Sequence, residues 1–401
     1  MDKLTPPQTA STQDFDPRAA ETFSSAHELY AEMRQRCPVA HSEAWNGFWA
    51  LLRYADVVEV LSDYRRYTTS VQNVVPKLAF TGRRPPLHLD PPEHTSYRRV
   101  INEFFTSDKV AALAPAVRRD TVALLQPLID AGRCDISADF AHKIPAYVFA
   151  EFFNLPVSMA TTIKEVSTTY VGAIRDANDE LVRDYSKRLY DIARDIIAQR
   201  QAAPMDPRQD LTSALLEARH EGQLLPAEMV LGTVRQLIVT GMIAPSVFIG
   251  NIFVHLSEHP QLQEQLRRDP SLIPAALEEY LRLFTPYRGM SRTAREDVEF
   301  GGRLIRKDEP IALVYASANR DEAVFKDGDQ FILNRPNIKE HIAFGKGPHQ
   351  CPGAPLARTM LQIMMEEVLA RTKHISVDGA IEMTRWPEWG TNSVPVRLVP
   401  A

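Results

Sequence analysis

Apolar residues recur every three or four positions over much of this chain, the mark of helices that each bury one face. The spacing predicts helices over 26–36, 54–62, 109–131, 159–176, 178–200, 211–221 and 274–284. A longer apolar run opens at Pro226 and continues to about 258. At 1.5 Å per residue it reads as one helix of roughly 50 Å, enough to cross the whole molecule. Its centre, 237–256, carries no Asp, Glu, Lys or Arg and has the length of a bilayer span. Gly241, Pro245, Ser246, Asn251 and His255 interrupt it, and no aromatic belt flanks it, so a buried central helix is expected and no membrane partner. Strand-like runs are short: 47–52, 289–293, 298–300, 311–315 and a group near 394–399. Between them lie two long irregular stretches, 70–92 and 320–350. Loops of that length are usually functional or mobile. The first 20 residues are polar and rich in Pro, Thr and Gln, with no apolar signal region. They are expected to be disordered, with one mainly α unit carrying small β-sheets over 21–401.

Composition narrows the function. The formal net charge of -5, with no basic run, gives nucleic acid no purchase. The three cysteines, Cys37, Cys134 and Cys351, have no metal-site spacing. This is the usage of a reducing, cytoplasmic compartment, where a special cysteine acts as ligand or nucleophile.

One cysteine stands out. Phe344-Gly-Lys-Gly-Pro-His-Gln-Cys351-Pro-Gly353 leads into Ala354-Pro-Leu-Ala-Arg358. The next residues place Leu356, Met360, Leu361, Met364, Met365, Val368 and Leu369 on one helical face. A glycine-rich turn thus delivers a cysteine to a helix N-terminus, where dipole and free N–H groups stabilise a thiolate. Gly347 and Gly353 let the backbone lie close to something flat. Pro352 lacks an N–H, while Gly353 and Ala354 keep theirs as donors to the sulfur.

This stretch resembles the heme-binding loop of the cytochrome P-450 family, F-x-x-G-x-x-x-C-x-G. The resemblance extends to four further features in the family's order, from roughly residue 25 to 400. Glu279-Tyr-Leu-Arg282 is similar to its E-x-x-R, and the resemblance pairs these residues with Arg335 to lock the cysteine loop. His94-Thr-Ser-Tyr-Arg98 is similar to its H-x-x-x-R, whose cations meet the heme propionates. Arg292 and His349 match the other propionate donors. The resemblance implies a single-domain cytochrome P-450-like fold, heme b as cofactor with Cys351 as iron ligand, and Phe344 and Gly353 against the ring. It implies a monooxygenase that inserts one atom of O2 into a C–H bond, by hydroxylation or O-dealkylation. Electrons would come from a separate ferredoxin and its reductase, since no cysteine cluster or G-x-G-x-x-G supplies a built-in one. The ferredoxin is expected near Lys346, with Arg98 and Arg99 contributing.

The sequence departs from the family on the long helix. The usual acid and threonine after a glycine are replaced by Ile243 and Ala244, following Gly241. Neither side chain can relay a proton. Pro245 would remove the bond to the Gly241 carbonyl and kink the helix, at about 3 kcal/mol. Either it preserves a bend the family already has, or the opened turn holds a water that delivers protons. Ser246 and Thr240 are turned away by helix phase. By resemblance the substrate pocket is lined by Val74, Ile238, Met242 and Met290, which points to a compact, mainly apolar small molecule. A peroxide-driven heme-thiolate peroxygenase and a non-catalytic heme sensor are the alternatives.

Overall fold

The computed structural model describes residues 13–77 and 79–401. The first 12 residues of the expected disordered leader lie outside the described residues. The rest of that leader is placed: Phe15 is buried and meets Phe48 edge-on at 5.8 Å. The folded unit therefore begins before residue 21.

The helices, in chain order, are α1 Glu21–Ser24, α2 Ala26–Arg36, α3 Tyr54–Ser62, α4 Glu93–Asn102, α5 Ser107–Ala131, α6 Ile144–Phe152, α7 Val157–Arg175 and α8 Asp179–Ala202. They continue with α9 Leu211–Glu217, α10 Ala227–Val239, α11 Ala244–Glu258, α12 Pro260–Arg268, α13 Ile273–Leu283, α14 Tyr315–Ala318 and α15 Ala354–Arg371. Their ends follow local chemistry. Asn178 caps α8 by accepting from the Leu181 N–H at 3.1 Å, and Asp210 caps α9 by accepting from the Ser213 N–H at 2.8 Å. The latter helix stops at Glu217, short of the expected 221, because Ala218 is extended and leads into a small hairpin whose turn Glu221 and Gly222 make with positive φ.

The expected continuous helix over 226–258 is instead two. α10 ends at Val239, Thr240 is extended, and Gly241 adopts φ 84°. That left-handed step is what ends α10. Pro245 falls in the first turn of α11, where a missing N–H costs little. The kink and penalty expected at Pro245 do not arise; the break belongs to Gly241. By length and composition the 227–258 stretch could cross a membrane, yet 67% of its most apolar window is buried inside the fold.

Two apolar cores share α6. Ile144 and Val148 join the core of α5, α11, α13 and α15, while Phe149 and Phe152 join that of α7 to α10. A five-stranded sheet stands beside them in the order Val39–Ser42, Phe48–Leu51, Pro310–Leu313, Met290–Ala294, Tyr67–Thr68. Only the Phe48–Leu51 and Pro310–Leu313 pairing is parallel in this sheet.

Candidate active site

Cys351 sits at the end of a tight loop whose closure is set by its own N–H donating to the Phe344 carbonyl at 2.8 Å. Gly347 has φ 72°, and a Cβ there would come within 2.4 Å of the Leu61 carbonyl, so the loop needs glycine to pack on α3. The Cys351 side chain is accessible although protein surrounds it, so it faces an internal cleft. Burial pushes its thiol up, while the N–H groups of Gly353 and Ala354 and the cations of Arg98 and Arg358 pull it down. A metal cation at the sulfur would complete the shift to thiolate.

Glu279, Arg282 and Arg335 meet as the E-x-x-R reading pairs them, and their bonds hold the segment from Asn319 to Arg335 that leads toward the cysteine loop. Glu279 accepts from Arg282 at 2.7 and 2.8 Å and from Arg335 at 3.0 Å. It also caps the Ile332 N–H at 2.9 Å. The triad is fully buried. Sequence reading missed a second lock beside it. Glu278 binds His341 at 2.9 Å and Arg358 at 2.6 Å, and these interactions hold its carboxyl at about 2 although burial alone would raise it. The available signal was the adjacent acid: Glu278 precedes the motif, and Arg358 closes the cysteine-loop match.

The four predicted propionate partners, two imidazoles and two guanidiniums, gather in front of the loop. The His94 and His349 rings lie 4.5 Å apart. The Nε2 of His94 is buried without a partner, and burial first, then His349 and Arg98, brings this imidazole down to about 4. Arg292 is 6% exposed; its guanidinium donates to the Ser291 carbonyl at 2.9 Å and forms no ion pair among the described residues. Arg98 bridges to the Cys351 loop through the Gln350 carbonyl and to Asn102 at 2.7 Å. Asp90 ties the group to the preceding loop: it pairs with Arg295 at 2.6 Å and approaches His349 at 3.9 Å. An orphaned imidazole nitrogen and an arginine without a carboxylate, set before a thiol, fit an iron porphyrin with two carboxylate tails.

Gly241 is 3.9 Å, at its would-be Cβ, from the Phe149 ring. Ile238 and Met242 are fully packed in the core of α7 to α10. Val74 bridges to Met290, which brings these two predicted lining residues together. The Thr240 hydroxyl donates to the Leu237 carbonyl at 3.1 Å, and Ser246 to that of Met242 at 2.8 Å, so local backbone bonds, not the phase of one continuous helix, direct both. The surprise is Lys164 of α7. Its ammonium donates to the Met242 carbonyl at 2.6 Å and to the Ser246 hydroxyl at 2.7 Å, satisfying a carbonyl the break set free. Burial lowers this lysine to about 7. It lines a cavity of about 560 Å³ with Ile243, Ser246 and Glu388. Burial raises Glu388 to about 7.

This is the site of a heme-thiolate enzyme on a mainly helical frame. A sequence profile of cytochrome P450 matches residues 174–386. The chain is 31% identical to cytochrome P450 109 of Bacillus spizizenii, covering 92% of this chain and 91% of that protein. It is 32% identical to the mycinamicin IV hydroxylase/epoxidase of Micromonospora griseorubida, covering 93% and 96%. Cytochrome P450 CYP109Q5 of Chondromyces apiculatus superposes with a TM-score of 0.86 at 28% identity, over 96% of this chain and 98% of that one. The chain belongs to the cytochrome P450 family. It is a monooxygenase of small molecules whose cofactor is heme b.

Proposed function

We propose that this cytoplasmic enzyme inserts one oxygen atom from O2 into a C–H bond of a small molecule with an apolar body, by hydroxylation or O-dealkylation. A separate ferredoxin system supplies the electrons. The reading rests above all on Cys351, whose sulfur is met by two backbone N–H groups, with the His94 and His349 rings and the Arg98 and Arg292 guanidiniums gathered before it. In this reading Cys351 binds the iron, while His94, Arg98, Arg292 and His349 take the propionates. Phe344 and Gly353 support the ring, and Glu279, Arg282 and Arg335 hold the loop. When bound, the heme supplies dioxygen chemistry, and a thiolate ligand favours O–O cleavage. Val74 and Met290 shape the substrate side, and Ile238 and Met242, packed in the core of α7 to α10 instead of lining open space, back it.

The test is the absorption of the reduced, carbon-monoxide-bound protein. A thiolate-type band is expected in the wild type and absent in Cys351→Ala. A wild-type protein without that band would end the proposal.

A specific observation favours a second reading, a peroxide-driven enzyme. Ile243 and Ala244 bring no exchangeable proton to the turn, and Gly241 and Pro245 shape a break there rather than an acid–alcohol pair. Installing Asp at 243 and Thr at 244 should raise oxygen-driven turnover relative to peroxide-driven turnover. An unchanged ratio would dismiss it.

A further inference from the structure

Two arginines are buried together without an acid. Arg84, from the loop before α4, is 6% exposed, and Arg235, on α10, is 0% exposed. Neither forms an ion pair among the described residues; their neighbours are neutral. Arg84 donates to the Tyr170 hydroxyl at 3.4 Å, the long end of the range, and meets His88 at 2.9 Å. The guanidinium of Arg235 lies over the Tyr170 ring at 4.7 Å and donates to the Ser186 hydroxyl at 3.2 Å. The Nε of Arg84 and the Nε and Nη1 of Arg235 have no acceptor.

Such a cluster is costly. A buried charge without a counter-charge is strongly destabilising, and here two like charges share one site. Their mark falls on the neighbours. Burial and the two arginines hold His88 down to about 3. At Tyr170 they outweigh burial and lower the phenol. The hydrogen bonding offers no acid either. The Nε2 of His88 is shared between an arginine N–H and, at 3.1 Å, the side-chain amide of Asn73, so it gives Arg84 only a divided, neutral partner. An arriving anion would resolve this: guanidinium donors match a carboxylate, and the pairing is strongest where water is excluded.

The cluster also adjoins the substrate side. Arg235 lies three residues before Ile238, on the same face of α10, and one turn before the end of that helix at Val239, where the break at Gly241 begins. Asn73, which meets His88, has its carbonyl bonded by the Ser291 N–H at 2.9 Å, next to Met290. Arg84, His88 and Val74 share one loop, so movement of that loop would open the donors to a guest.

We propose that Arg84 and Arg235 anchor a carboxylate at one end of the substrate, so that the apolar body reaches along α10 toward the break at Gly241. The substrate class is thereby an organic acid with an apolar tail. The inference rests on the oxygenase reading and sharpens it.

The experiment compares octanoate, methyl octanoate and octanol as ligands of the purified holoenzyme. Dissociation constants come from calorimetry and from the heme spin-state shift. The wild type should prefer the acid over its ester by about 10-fold or more, as expected of a charge-assisted contact. Arg84→Met and Arg235→Met should each erase that preference and leave ester affinity within about twofold. If the wild type binds ester and acid alike, or if both variants weaken acid and ester equally, the anchor is wrong. Should Arg235→Met fail to fold, Arg84→Met on the loop and Arg235→Lys carry the same comparison. Acetate alone is the control: if it raises the melting temperature through the same two arginines while the acid shows no preference, the site takes a free anion and the proposal falls. A missing carbon-monoxide band would overturn the oxygenase reading, whereas calorimetric preference for the acid is read without it.

Discussion

At the scale of single residues, buried charge decides most outcomes. Among the described residues Glu279 is the only carboxylate contacting Arg282 and Arg335, so Glu279→Ala leaves two buried cations unpaired. We expect a loss of about 3–5 kcal/mol, read by denaturant unfolding, together with reduced heme retention. Lys164 gives a pH signature. Its folded value of about 7 lies below its ordinary 10.5, so between these limits the unfolded chain binds more protons. Stability must then rise with pH from about 7 to 10.5, and the full penalty is present below 7. The groups lining the cavity with it, His142, Lys143, Glu165, Arg175 and Glu388, are present in both proteins. Lys164→Met should therefore remove one slope in that window while the background persists. Melting temperatures measured at pH 7, 8.5 and 10 check this. Parallel curves for the two proteins would mean that Lys164 stays charged in the fold.

At the scale of elements, the question is where the break between α10 and α11 comes from. Gly241→Ala places a side chain at φ 84° and should cost about 1–2 kcal/mol. Pro245→Ala is the discriminating change. In a helix interior, removing this proline would stabilise by about 3 kcal/mol; in the first turn of α11 it should be neutral or lose up to about 1 kcal/mol. Unfolding midpoints of the two variants separate the cases. The error in reading one helix over 226–258 has a physical source. Apolar periodicity persists across the break because α10 and α11 are both core elements, and periodicity reports burial rather than φ. The element beginning at Pro226 and the helix after Cys351 were legible because a proline or a cysteine loop marks each start. α6 was not, because it is buried on two sides and its apolar residues show no single face. The strands at Val39–Ser42 and Arg133–Asp135 are too short to carry a pattern.

At the scale of the whole molecule, the cysteine side was legible and the substrate side was not. The loop around Cys351 is contiguous in sequence, so spacing alone exposed it. The Arg84–Arg235 cluster joins residues 151 positions apart, and its only local trace was an arginine within the apolar run of α10. The same asymmetry bears on docking of the electron donor. Of the cations expected at that surface, Arg98 turns inward to the Gln350 carbonyl and Asn102, whereas Lys346 and Arg99 are exposed. An acidic ferredoxin would therefore meet Lys346 and Arg99, and contact between exposed charges is screened over about 8 Å at physiological ionic strength. Lys346→Glu should slow ferredoxin-driven turnover several-fold at low salt, and added salt should narrow the gap to wild type. Peroxide-driven turnover needs no docking and should be unaffected in the same variant. Equal loss in both assays would place Lys346 in support of the Cys351 loop instead of in partner recognition.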